Sequence, residues 1–128
     1  MYKDFDRWNE DKKKIHDKTR ETFYHEREIW WCSLGLNIGF EQDGGIRSYR
    51  RPVLILKGLS SDTCLIAPLT QSQRRHKFRV PIGPIETKPS SALISQIRII
   101  DVRRLINKVG YVNEELFHFV KQTVRDLL

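Results

Sequence analysis

The side chains of this sequence with chemistry to offer are mostly cations. The run QRRHKFR, residues 73–79, holds Arg74, Arg75, Lys77 and Arg79, the densest positive patch in the body of the chain. Charges spaced in this way neutralise successive phosphates, each contact releasing condensed counterions, so the run is expected to lie along a nucleic-acid backbone; a solvated hairpin loop is the competing reading. His76 stands in the middle of the run and is the kind of side chain that exchanges a proton near neutrality, either as a base or as an ordinary solvated loop residue.

The formal charge of +7 is unevenly divided. Residues 1–27 carry eight basic and seven acidic side chains, and residues 28–128 carry fifteen basic and nine acidic, so the body holds +6 of the total. That excess favours polyanionic partners. Cys32 and Cys64 both sit in apolar runs and fit no Cys/His metal spacing, so buried reduced thiols are expected, with no metal site and no cofactor. Trp30 and Trp31 are adjacent in a strand-like run, which makes one of them core; neither is expected to stack on a base.

These residues need elements to hold them. At 128 residues, with 39% hydrophobic and 30% charged side chains, the chain has the balance of one folded domain. No stretch approaches the roughly 20 apolar residues of a membrane span, and the opening Met-Tyr-Lys-Asp-Phe-Asp is unlike a signal peptide, so a cytoplasmic location without membrane contact is expected. Residues 4–26 lack Gly and Pro and place Phe5, Trp8 and Ile15 on one helical face, predicting an amphipathic N-terminal helix. The texture changes near residue 27, which divides the chain into an N-terminal helical extension, 1–27, and a body, 28–128.

In the body, EIWWCSL, PVLILK, TCLIAPL, KFRVPI and ALISQIRII read as five strands of a small antiparallel, partly closed barrel. The segment between the first two, GLNIGFEQDGGIRSYRRP, has four glycines and reads as a long surface loop. Asp101 is expected to cap a short turn over Val102 to Leu105. Asn113, Glu114 and Glu115 open a helix with Leu116, Phe119, Val120, Val124 and Leu127 on its apolar face.

The ordered blocks EIWWCSLG, GFEQDGG, RRPVLIL, APLT and SQIRIIDVRRL resemble the MazF/PemK family of toxins from type II toxin-antitoxin systems, over residues 28 to about 108. The resemblance implies an α+β, mainly β fold: a small antiparallel barrel-like sheet of the CcdB/MazF/SH3-like kind with a C-terminal helix, to which this chain adds its N-terminal helix. It also implies a homodimer, a cognate antitoxin protein as partner, and metal-independent cleavage of single-stranded RNA by 2'-hydroxyl attack, leaving a 2',3'-cyclic phosphate and a 5'-hydroxyl.

By the same resemblance, the arginine before the proline of the RPV block, Arg51, and the threonine ending APLT, Thr70, are the active pair. Glu41 is the candidate general base, being the carboxylate of the Glu-Gln pair in the loop block; His76 has no counterpart in the family. Gln42, Gln96 and Arg98 are implied to hold RNA. The loop between Gly45 and Pro52 is longer than in compact members and sets Arg47 and Arg50 close to Arg51; both join Arg74, Arg75 and Lys77 among the expected RNA-binding residues.

The residue types suit that chemistry. RNA brings its own nucleophile, so the protein has to align the 2'-oxygen and stabilise a phosphorane. Arginine presents a permanent charge and a planar fork to two phosphate oxygens, and a threonine hydroxyl adds a donor. Two other classes are open at this level: a toxin of the same fold that acts by binding protein, as a gyrase poison does, and a catalytically inactive nucleic-acid-binding module.

Overall fold

The computed structural model describes residues 23–34 and 50–128. Among these, seven strands and one α-helix follow one another: β1 (Glu28–Ser33), β2 (Arg50–Gly58), β3 (Thr63–Thr70), β4 (Arg79–Ile85), β5 (Lys88–Leu93), β6 (Arg98–Asp101), β7 (Leu105–Tyr111) and α1 (Glu114–Leu127). All pairings are antiparallel, in the order β4-β5-β3-β2-β1-β7, with β6 also on β3. The sheet curls into an open half-barrel, as expected from the sequence.

β2 and β3 are buried on both faces, which is why they read as unbroken apolar runs. Their residues alternate between two cores. Val53, Ile55, Cys64 and Ile66 join Trp30, Cys32, Ile100 and Leu105 in one. Leu54, Leu56, Ala67 and Leu69 join Val80, Ile94, Phe117 and Val120 in the other, where α1 packs. Of the adjacent tryptophans, Trp30 is core and Trp31 is half-buried.

Several expectations are corrected. ALISQIRII is two strands, split by the 3-10 turn Ile94–Gln96. β7, over LINKVGY, is a strand beyond the five expected, because its side chains are largely exposed and give no apolar run. The turn after Asp101 spans Val102–Arg104, with the Asp101 side chain accepting from the Arg103 N–H, and Leu105 already begins β7.

On α1, Asn113 caps the Leu116 N–H at 2.8 Å, as its sequence predicts. Phe119, however, is 57% exposed, while Phe117 is buried. At 3.6 residues per turn Phe119 lies roughly 100° from the centre of the stripe formed by Leu116, Phe117, Val120, Thr123, Val124 and Leu127, and Phe117 only about 60°.

The expected N-terminal helix falls largely outside the described residues, but Phe23–Arg27 are not helical. They lie against the body: Arg27 N–H donates to the Ile55 carbonyl at 3.0 Å, and Val112 N–H donates to the Arg27 carbonyl at 2.9 Å.

Candidate functional site

β2 and β3 carry Arg51 and Thr70. Their ladder pairs Ile55 with Ile66, Leu54 with Ala67 and ends at Val53 with Pro68, so Arg51 and Thr70 each stand two residues beyond the last pair, at the same end of neighbouring strands. On the outer sides, Arg51 pairs with Cys32 of β1, and Thr70 pairs with Ser91 of β5. Cys32–Arg51 and Thr70–Ser91 are thus two opposed pairs at the same end of the sheet, and directly opposed residues in antiparallel strands share a face. Arg51 is exposed and Thr70 half-buried, so both face solvent at the strand ends.

Thr70 leads directly into the basic segment. Its Oγ1 accepts the Ser72 N–H at 3.2 Å, a hydroxyl-to-backbone turn of the kind Thr and Ser favour after a strand. Ser72 Oγ in turn accepts the Arg74 N–H at 3.3 Å and Arg79 Nη1 at 3.0 Å. Lys77 lies over the Phe78 ring, its Nζ 5.1 Å from the centroid. Arg74 and Arg75 are exposed, with no carboxylate in ion-pair range among the described residues.

A shallow concavity of about 730 Å³ opens beside them, with Arg74, Arg75, His76, Lys77 and Arg79 along one side. Pro81, Gly83, Pro89, Ser90 and Ser91 of the β4–β5 hairpin complete it. Gly83 has φ +101°, a left-handed conformation that glycine adopts without strain, at the register shift between Pro81 and Gly83. Ser91 therefore both lines the concavity and pairs with Thr70. His76 is exposed, and its Nδ1 accepts the Phe78 N–H at 3.1 Å, which ties it into the local turn.

Arg98 and Gln96 are both exposed. Arg98 pairs with Ile66, four residues along β3 from Thr70, roughly 13 Å at strand spacing. Burial pushes the Cys32 thiol up to about 11, against the opposing positive charge of Arg104 and Arg98, so both cations lie near the Cys32–Arg51 pair. Arg104 was not singled out by sequence reasoning. Its Nη1 donates to the Ser33 carbonyl at 3.1 Å, and Ser33 pairs with Arg50. Ser72, Ser91 and Arg104 lacked any signal in the sequence, because their places depend on pairings and turns between distant segments. Glu41, Gln42 and Arg47 lie outside the described residues.

Both thiols are free and buried, as expected. Among the described residues no helix is long and apolar enough to cross a membrane.

Solved structures share this fold. The toxin MazF-mt6 of Mycobacterium tuberculosis superposes with a TM-score of 0.60 at 21% identity, over 78% of this chain and 94% of that one. MazF from Deinococcus radiodurans gives 0.63 at 19% identity, over 83% and 96%. A mycobacterial endoribonuclease in complex with its cognate antitoxin gives 0.61 at 14% identity, over 81% and 93%. No curated protein matches the chain. The PemK-like, MazF-like toxin family of type II toxin-antitoxin systems matches residues 25–128, and the chain belongs to that family.

Proposed function

We propose that this toxin is an endoribonuclease that cuts single-stranded RNA without a metal, and that Arg51 and Thr70 act on the scissile phosphate. The observation that supports the reading is that Arg51 and Thr70 stand at the same solvent-facing end of the neighbouring strands β2 and β3, beside an exposed basic segment. Arg51 offers its fork to two phosphate oxygens and holds the charge that grows in the phosphorane; Thr70 donates its hydroxyl to the same group. Arg74, Arg75 and Lys77 extend the contact along the backbone, with Arg50, Arg47, Gln42, Gln96 and Arg98 as further RNA contacts. Glu41 is the proposed general base, since a guanidinium accepts a proton poorly.

The same reading includes a homodimer and a cognate antitoxin that occupies the site in competition with RNA, a partnership borne by the mycobacterial endoribonuclease noted above. The test is cleavage of a mixed single-stranded RNA pool in EDTA by the protein and its Arg51→Ala and Thr70→Ala variants, with the new ends mapped. Cutting by the parent alone, with 2',3'-cyclic phosphate ends, is expected. No cutting by the parent overturns the reading in favour of a toxin that acts by binding protein or of a catalytically inactive nucleic-acid-binding module.

A further inference from the structure

We propose that Ser72 and Arg79 are positioning residues that set the direction of the Thr70 hydroxyl; the role rests on the ribonuclease reading. Arg79 on this view is withdrawn from the phosphate-binding patch to which its place in QRRHKFR would assign it.

A threonine hydroxyl has one proton and two acceptor lone pairs. With the Ser72 N–H at 3.2 Å occupying one lone pair from the chain side, the remaining O–H is free to donate away from the turn, as a phosphate oxygen requires. That arrangement holds only while the backbone after Thr70 keeps its turn. Ser72 Oγ closes the next turn by accepting the Arg74 N–H, and the Arg79 guanidinium fixes the same oxygen at 3.0 Å.

Arg79 is well placed to do this. It opens β4, pairs with Leu93 of β5 and donates its backbone N–H to the His76 carbonyl at 3.0 Å, so its stem projects from the sheet and closes the loop at both ends. It is half-buried, whereas Arg74 and Arg75 are exposed. The path from sheet to Arg79, to Ser72, to Thr70 ties the hydroxyl to the same rigid element that holds Ser91 across from it.

A phosphate contact and a positioning contact leave different signatures. Losing a phosphate contact weakens RNA binding and lowers the salt slope, by about 0.7 per contact on a single strand; losing a positioning contact slows cleavage and leaves both unchanged. The experiment compares the parent with Ser72→Ala, Arg79→Gln, Arg79→Lys and the double variant Ser72→Ala/Arg79→Gln, measuring single-turnover cleavage, RNA affinity across salt, and melting.

Ser72→Ala and Arg79→Gln are each expected to slow cleavage about three- to tenfold, the range of one modest hydrogen bond, with the parent's affinity and salt slope. The double variant is expected to be no slower than the slower single, and Arg79→Lys to recover part of the rate. A lower salt slope in Arg79→Gln, multiplicative losses in the double variant, or singles that cut at the parent's rate would overturn the positioning role while leaving the ribonuclease intact. A parent that cuts no RNA would instead refute the ribonuclease reading, and this role with it.

Discussion

The Glu28 carboxylate on β1, only 8% exposed, receives the Lys108 ammonium of β7 at 3.2 Å. It also accepts the Trp30 indole N–H and the His25 backbone N–H, both at 2.9 Å, and faces His25 Nδ1 at 3.1 Å. One buried charge thus fastens the entry to the first strand, the core tryptophan and the last strand. A partly desolvated carboxylate is tolerated when hydrogen bonds and cations surround it, and removing its charge strands them. Glu28→Gln is expected to lose about 1–3 kcal/mol of unfolding free energy, measured by urea denaturation.

The same residue sets an acid limit. Burial pulls its pKa upward, but the hydrogen bonds from Trp30, His25 and Lys108 and the charge of His25 outweigh that and hold it below the ordinary 4.5. A lowered carboxyl pKa gives stability that is complete above the unfolded value and lost as pH falls through the folded one. Unfolding free energy should therefore fall below about pH 4.5, and Glu28→Gln should flatten that fall.

The alkaline limit has the opposite sign. Burial raises Tyr24 from 10.0 to about 12, with the negative charges of Cys64 and Glu26 adding to it, and raises the Cys32 and Cys64 thiols from 9.0 to about 11 and about 12. Their neutral forms are favoured in the fold, so this stability is complete below about pH 9 and is lost as pH rises through 12. Native protein at pH 8 is expected to react slowly with a thiol reagent, and to react with both thiols once unfolded. Fast labelling of folded protein would contradict the burial of the pair.

How far the sequence could be read follows from where each signal resides. β2, β3 and α1 were legible because their apolar periodicity is local. β7 was not, since Ile106, Asn107 and Lys108 are exposed and the strand is recruited by pairing with β1. Phe119 was misplaced because period alone does not fix where the stripe is centred; Thr123, a polar residue that donates its hydroxyl to the Phe119 carbonyl at 3.0 Å, fills the buried position. The Arg51–Thr70 pair came from the order of blocks. The Thr70–Ser72–Arg79 path had no counterpart in that order, because it is made by a turn.

Gly58 ends β2 under Tyr24. A Cβ at Gly58 would lie 2.9 Å from Tyr24 Oη, tighter than real contacts allow, though the next ring atoms stand at 3.6 Å. Gly58→Ala is expected to cost about 1 kcal/mol, because the phenol tip has to shift within a half-buried site. Tyr24→Phe removes the offending oxygen, so the alanine should cost clearly less in that background. Equal costs in both backgrounds, measured as a double-mutant cycle on urea midpoints, would exclude the contact as the cause.

The exposed arginines make the last prediction, and it separates charge from chemistry. Arg74 and Arg75 have no carboxylate in ion-pair range among the described residues, so no ion pair described there depends on their charge. Arg74→Gln/Arg75→Gln should melt like the parent. If the two guanidinium groups each neutralise a phosphate, RNA affinity should fall, and the slope of log K against log salt should shrink by about 1.4, two contacts on a single strand. Cleavage at saturating RNA should stay within a few-fold of the parent, since neither arginine is assigned to the scissile phosphate, whereas Arg51→Ala should abolish it with the slope reduced by no more than one contact. An unchanged slope in the double variant would return the basic loop to an ordinary solvated surface and move the RNA path to the Arg98 and Arg104 side of the barrel.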